Sequence, residues 1–307
     1  MGNFKATVEK CDCGCAYIEQ FDVTRMGTQY GPIYWGTKTL EKSTVLAELA
    51  ETGEISQSER RIIVAMSANE GKLDSVQSYD SEVLTAGAMQ KTINPKGSGE
   101  FPTQVASFRL ENENAYKELF EKCGWSVEGT GQSAMMYYTH PELTKGATIT
   151  GQDLKSVIRQ NCSSGNFGKK SKNIPLASIV GAINNKAFER KKIMDFLTRL
   201  RNLILPVNPT GYLYPIGAYF KCELGRATAL DHHVNRPTYV PRGIGHALDG
   251  FFAENPGLSK NPESWGEKRA MFEFEIIESY EKNRQMAKPG GIPVAPARYA
   301  ALKSRLN

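Results

Sequence analysis

Ser-Gln-Ser-Glu at 56–59 is the strongest local instruction in this sequence. A serine followed three residues later by glutamate, just ahead of an apolar run, forms a capping box. Each side chain satisfies a backbone N–H that the start of a helix leaves open. A helix is therefore expected to begin near Gln57, run through "RRIIVAMSANE" and stop at Gly71 in the C′ position. That places Glu70 in the last helical turn. The pattern then changes. Residues 72–90 carry Tyr, Val, Thr and Ser broken by Asp and Gly, which reads as short strands or a hairpin.

The remainder of the chain reads as mostly helical. A short helix is expected over Ser43 to Thr52, and others near 103–110, 112–123 and 150–162. A long one should start near Pro175 and run to Leu205, with Leu176, Ile179, Val180, Ile183, Ile193, Phe196, Leu197, Leu200 and Ile204 at helical period. "YPIGAYFKCELGRATALDHHVNRP" suggests a helix ending before Pro237, and Asn261 with Pro262 suggests the start of another. Residues 1–42 read as an irregular or extended N-terminal extension, 43–287 as the main domain and 288–307 as a surface tail. The expected fold class is mainly α (α+β), with a small β-hairpin element after the first long helix.

Composition narrows the classes. With 40% hydrophobic and 23% charged residues in 307, the chain can bury a real core. Its longest unbroken apolar runs, such as Ile62 to Met66, fall far short of the ~20 residues a bilayer span requires, so no membrane insertion is expected. The first residues show no secretory h-region, and Ala6 breaks the myristoylation pattern that Gly2 would begin. Cys11, Cys13 and Cys15 form C-x-C-x-C, able to bind a soft metal or to pair with distant cysteines. Cys123, Cys162 and Cys222 read as small buried apolar residues. No zinc-type ligand spacing is present, so neither metal nor cofactor is expected. The net charge is +5, and Arg159, Lys169, Lys170, Lys172, Lys186, Arg190, Lys191, Lys192, Arg199 and Arg201 crowd one stretch. Such a stretch suits a polyanion or is a solvated helix face. Nucleic acid is the poorer partner, because the stretch lacks aromatics interleaved with its cations.

The chemistry concentrates around Glu70. A general acid for glycoside cleavage must hold its proton near neutral pH. The negative end of a helix dipole and apolar burial both disfavour a carboxylate there. Asp80, on a polar ribbon beside Ser78, Tyr79 and Ser81, should stay ionised. Thr85 offers a hydroxyl to hold a water, and Gly87 allows close approach of a sugar or of backbone. Two carboxyls in contrasting environments are the working parts of a glycosidase. His232 and His233 read as helix-end or packing residues.

The arrangement Glu-Gly, then Asp ten residues after the glutamate, then Thr-x-Gly, resembles the active-site segment of phage-type lysozymes. "SYDSEVLTAGAMQ" is also similar to the corresponding stretch of the broader lysozyme-like superfamily, including pesticin-type muramidases and chitosanases. The resemblance covers about 25 residues, and Asp80 stands one residue further from the glutamate than in the phage enzymes. It implies that Glu70 is the acid, Asp80 the second carboxylate and Thr85 the water-positioning residue, with Tyr79, Gly87 and Gln90 as substrate contacts and Asp74 as a nearby rival to Asp80. In that family the acid ends a helix and the Asp and Thr lie on the hairpin that follows. The implied activity is an N-acetylmuramidase cutting the β-1,4 bond of peptidoglycan with inversion. The implied place of action is the bacterial wall, reached after delivery or lysis, with a secretion or phage-tail apparatus and an immunity protein as partners. The alternatives are a lytic transglycosylase, a chitosanase-like glycosidase and a non-catalytic glycan-binding or tail-structural module.

Overall fold

The computed structural model describes residues 8–10, 16–18, 21–287 and 293–306. The C-x-C-x-C motif at 11–15 lies outside them. The strands are β1 (Val8–Lys10), β2 (Ala16–Ile18), β3 (Phe21–Met26), β4 (Gln29–Tyr34), β5 (Val76–Gln77), β6 (Leu84–Ala86), β7 (Lys91–Ile93), β8 (Trp125–Glu128), β9 (Met135–Tyr138) and β10 (Lys170–Ser171). The α-helices are α1 (Thr44–Glu51), α2 (Gln57–Ser67), α3 (Glu100–Glu111), α4 (Glu113–Leu119), α5 (Gly151–Arg159) and α6 (Ile174–Asn184). They continue with α7 (Lys186–Thr198), α8 (Ile216–Tyr219), α9 (Glu223–Asn235), α10 (Val240–Glu254), α11 (Arg269–Asn283) and α12 (Ala295–Leu306). The protein is mainly helical, with 56% helix and a small antiparallel sheet, an α+β arrangement.

The chain forms two compact units. The first comprises residues 1–45 and 71–192. Its sheet runs β10-β3-β4-β5-β6-β7, each neighbour antiparallel, and β8 and β9 form a separate pair. Val76, Leu84 and Ile93 share a core with Phe101 and Phe108 of α3, Phe120, Trp125, Tyr138 and Phe188. Phe188 stands edge-on to Phe101, Phe108 and Phe120, with ring centroids 6.2, 5.0 and 5.2 Å away. Such edge-to-face contacts place a positive ring edge against a negative face. The Trp125 indole N–H donates to Ser178 Oγ (3.0 Å) and Pro175 O (3.1 Å), so its buried polar atom is satisfied.

A buried polar network sits at one side of this unit. Asp74 Oδ1 accepts from the Thr37 and Lys38 backbone N–H groups, both at 2.9 Å, and Oδ2 accepts from Tyr34 OH at 3.3 Å. Gly36, at φ +73°, makes this wrap possible: a Cβ there would stand 2.5 Å from Asp74 Oδ1. Asp74 thus has both carboxylate oxygens engaged by the 34–38 segment. Glu189 of α7 is fully buried, paired with the Lys38 ammonium and bonded by Ser43 Oγ. Lys192 Nζ donates to Leu73 O at 2.9 Å, and burial pushes the Lys192 ammonium down to about 7 against the opposing pull of Glu189 and Asp74.

The second unit comprises residues 46–70 and 193–307. Here α2 packs on α9, α10 on α11, and α12 on both α2 and α9. Its core includes Ile62, Ile63, Met66, Leu230, Ile244, Leu248, Ile276, Ile277 and Tyr280. Residues 288–307 are therefore not all surface tail, since α12 buries Ala295, Tyr299 and Leu302. Other expectations need correction as well. The long 175–205 helix is two, divided at Asn185 (ψ 137°), followed by a π-helical turn over Arg199–Ile204. The N-terminal extension contains the β3–β4 hairpin, and α10 and the β8–β9 pair were not expected. Cys123 is disulfide-bonded, while Cys162 and the exposed Cys222 are free. His232 is buried, its Nδ1 2.7 Å from Tyr280 OH, and burial holds it down to about 4, which suits a neutral packing residue.

The basic stretch is largely consumed inside the chain. Lys170 pairs with Asp22, Lys191 with Glu111 at 2.8 Å and Arg201 with Glu59 at 2.6 Å, while Lys192 is buried. Among the described residues no helix is long and apolar enough to cross a membrane.

Lys192 generates a pH test of stability. Its folded-state value near 7 lies below the roughly 10.4 of an exposed lysine. Between these limits the unfolded chain binds the extra proton, so stability should rise as pH increases through that window. Urea unfolding between pH 7 and 10 should show this rise in the native sequence and a flatter profile in Lys192→Met. An unchanged rise in the variant would remove Lys192 as its source.

Candidate active site

The Ser56–Glu59 box forms as expected. Ser56 Oγ accepts from Glu59 N at 3.2 Å, and the Glu59 carboxylate accepts from Ser56 N at 2.9 Å. The helix it starts, α2, ends earlier than expected, at Ser67 with Ala68 as C-cap. Glu70 lies just past it in a turn, its N–H donating to Ser67 O at 3.0 Å, and Gly71 then takes φ +101°.

Glu70 is 8% exposed, and its carboxylate pairs with the Arg298 guanidinium of α12. Arg298 also donates to Asn69 O (3.0 Å) and to Asp231 Oδ1, from Nη2 at 2.6 Å. Asp231, in the middle of α9, is fully buried. It further accepts from Arg284 Nη1 at 2.9 Å and from Asn69 Nδ2 at 3.1 Å. Burial pushes the Asp231 carboxyl up, with Arg284 opposing, and holds Arg298 down to about 10, still protonated at neutral pH. A guanidinium at bonding distance favours a carboxylate over a carboxylic acid. The setting of Glu70 thus differs from the expected one, in which a helix end and apolar contacts alone act on it.

Asp80 and Thr85 belong to the first unit. Asp80 is part-exposed, its Oδ1 accepting from Glu82 N (2.9 Å) and its Oδ2 from Gln77 Nε2 (3.2 Å). The bend that carries it is stitched to α5. Arg159 Nη2 donates to Asp80 O at 2.6 Å and to Glu82 O at 3.1 Å, and Lys155 Nζ donates to Ser81 O at 2.6 Å. Thr85, on β6, is registered between Gln77 of β5 and Thr92 of β7. It is 5% exposed, and its hydroxyl has no hydrogen-bond partner among the described residues. Buried hydroxyls usually find a partner, and Thr85 Oγ1 shares this unpartnered state with Thr39 Oγ1, Tyr138 OH and Ser171 Oγ.

Gln77 therefore joins two of the candidates, as the cross-strand neighbour of Thr85 and a donor to Asp80. Tyr79 is part-buried next to Asp80, and burial together with that carboxylate raises its phenol. Gln90 is exposed, at φ 48°. Gly87 is buried, and a Cβ there would lie 3.4 Å from Leu73 O and 3.7 Å from Lys192 Cδ. Of the two approaches expected at Gly87, sugar or backbone, the backbone one is present, at Leu73 O. Sequence reasoning missed Arg298, Arg284 and Asp231. The available signal was an aspartate set inside a helix among small and apolar residues, "ATALDHH". Among the described residues no group of three His, Cys, Asp or Glu is placed to hold a metal ion.

The buried pair Arg284–Asp231, both side chains fully buried, makes a sharp stability prediction. Arg284→Ala removes one of two cations from a buried carboxylate and should cost about 3–5 kcal/mol of unfolding free energy. Urea denaturation reads this directly, and a loss below 1 kcal/mol would show that Arg298 alone satisfies Asp231.

Comparison with protein-family models, with curated proteins and with solved structures found no match for this chain.

Proposed function

We propose that this chain is a peptidoglycan hydrolase of lysozyme-like fold, an N-acetylmuramidase acting at the bacterial cell wall. The observation that carries the reading is the orphan Thr85 hydroxyl beside Gln77, which also holds Asp80. In the proposed arrangement the Thr85 hydroxyl, on the strand position opposite Gln77, and the Asp80 carboxylate, which accepts from the Gln77 amide, share one water. In the proposed step that water attacks the anomeric carbon and gives its proton to Asp80. The glycosidic C–O bond breaks, and the proton of Glu70 passes to the leaving oxygen. A water between sugar and second carboxylate is the arrangement of an inverting enzyme. The order of elements supports the reading too: a capped helix, an acid just beyond its end, then an antiparallel ribbon bearing Asp80 and Thr85.

The Arg298 pairing bears on the acid. Arg298 serves Glu70 and Asp231 together, so Glu70 shares its cation. The same pairing favours a second reading, a non-catalytic glycan-binding module. Glu70→Gln separates the two. It should leave binding intact and reduce release of muropeptides from purified wall by at least ~10²–10⁴, the usual share of general acid catalysis. A folded Glu70→Gln protein that clears wall suspensions at the native rate would remove Glu70 from the reaction.

Thr85→Val keeps shape and removes the hydroxyl. It should slow hydrolysis strongly, as should Asp80→Asn, with little change in thermal midpoint for either. Proton NMR of the first product should show the α-anomer before mutarotation. First-formed β-anomer would mean retention, and anhydro-muramic ends would mean a transglycosylase; each would take the water from Thr85.

A further inference from the structure

Trp35 and Lys72 both belong to the first unit and are used by nothing described above. The chain has three tryptophans. Trp125 is fully buried and Trp265 is 5% exposed, whereas Trp35 is 59% exposed. Tryptophan is seldom left so open, because its large apolar face gains much from leaving water. Trp35 is also displayed on a stiff backbone. It directly follows β4, and the next three residues wrap Asp74, with Thr37 N and Lys38 N donating to its carboxylate. Gly36 brings this turn against the segment that begins at Gly71. A Cβ on Gly36 would stand 2.7 Å from Lys72 Cβ and 2.9 Å from Ser75 N. Lys72 is part-exposed, and its ammonium has no partner among the described residues, whose salt bridges and side-chain bonds lie elsewhere. An exposed aromatic on a turn that packs against the residue carrying an uncommitted cation is a recognition surface whose backbone has little ordering left to lose on binding.

We propose that Trp35 and Lys72 form a glycan subsite that selects anionic wall strands over neutral ones. This rests on the reading of the chain as a peptidoglycan hydrolase. A pyranose presents an apolar face of C–H groups and a polar rim. The Trp35 ring takes the face, and Lys72 pairs with a carboxylate of a muramyl residue or of its peptide stem. Chitin oligomers share the face and lack the carboxylate, so they use only half of the subsite.

Tryptophan fluorescence tests this in the full chain carrying Glu70→Gln, with soluble uncross-linked peptidoglycan strands and with chitohexaose as probes. Both should shift the emission, and the shift should vanish in Trp35→Phe, because the other two tryptophans are buried. Trp35→Ala should weaken binding of both by about ten-fold. Lys72→Met should weaken only the peptidoglycan strands, by about three- to five-fold at low salt, and this difference should close at high salt as the charge is screened. Retained emission shift in Trp35→Phe, or equal losses for both probes in Lys72→Met, would overturn the subsite. Native chain that binds in this pattern but leaves strands uncut keeps the subsite and removes the hydrolase. Cleavage by Trp35→Ala at unchanged KM keeps the hydrolase and removes the subsite.

Discussion

A single carboxylate, Asp231, organises the surroundings of Glu70. It sits in α9 with no exposure and gathers Arg284 from the end of α11, Arg298 from α12 and Asn69 from the turn after α2. A lone buried charge is too costly to keep, so each of these groups is needed where it is. The consequence for Glu70 is geometric. Arg298 cannot serve Asp231 without presenting its remaining edge to Asn69 O and to Glu70. The side chain proposed as the acid is thus positioned by a network that exists to solve a different problem.

The first unit uses the same device. Asp74 is buried and enclosed by backbone N–H groups of residues 37 and 38, and its neighbourhood includes the buried pair Glu189–Lys38 and the buried Lys192. Together these fix the segment after Gly71 and the turn that bears Trp35. Asp80 is held differently, by Gln77 and by the bend that Arg159 and Lys155 stitch to α5. Its carboxylate remains part-exposed, while the buried ones are spent on structure. Two aspartates six residues apart thereby receive different settings, one enclosed and one part-exposed. Backbone encirclement decides which is which.

Part of this was legible in the sequence. The capping box at Ser56–Glu59 depends on residues three apart, so it formed as written, and the β character of 72–90 followed from residue type and turn residues. The end of α2 was less legible, because Gly71 allows a left-handed stop without requiring the helix to reach it. α10 was hidden by Gly243, Gly245 and Gly250, which lower helix propensity. Tertiary contacts explain two of them: a Cβ on Gly245 would stand 2.5 Å from Thr210 O, and one on Gly243 3.1 Å from the Tyr280 ring. α12 followed a Pro/Gly-rich stretch and read as tail, since its buried face has meaning only once α2 and α9 are there to receive it.

The sequence by itself determined the local order: a capped helix, a glutamate after it, a polar ribbon with Asp80 and Thr85, and a chain too polar for a bilayer-spanning run. These depend on neighbours within a few residues, where periodicity and turn chemistry act. Only the tertiary structure decided which carboxylates are enclosed and which are open, that Arg298 pairs with Glu70 across 228 positions of sequence, and that the Thr85 hydroxyl has no hydrogen-bond partner among the described residues. Burial and ion pairing depend on groups that the chain brings together from far apart, and a residue's type does not reveal its distant neighbours.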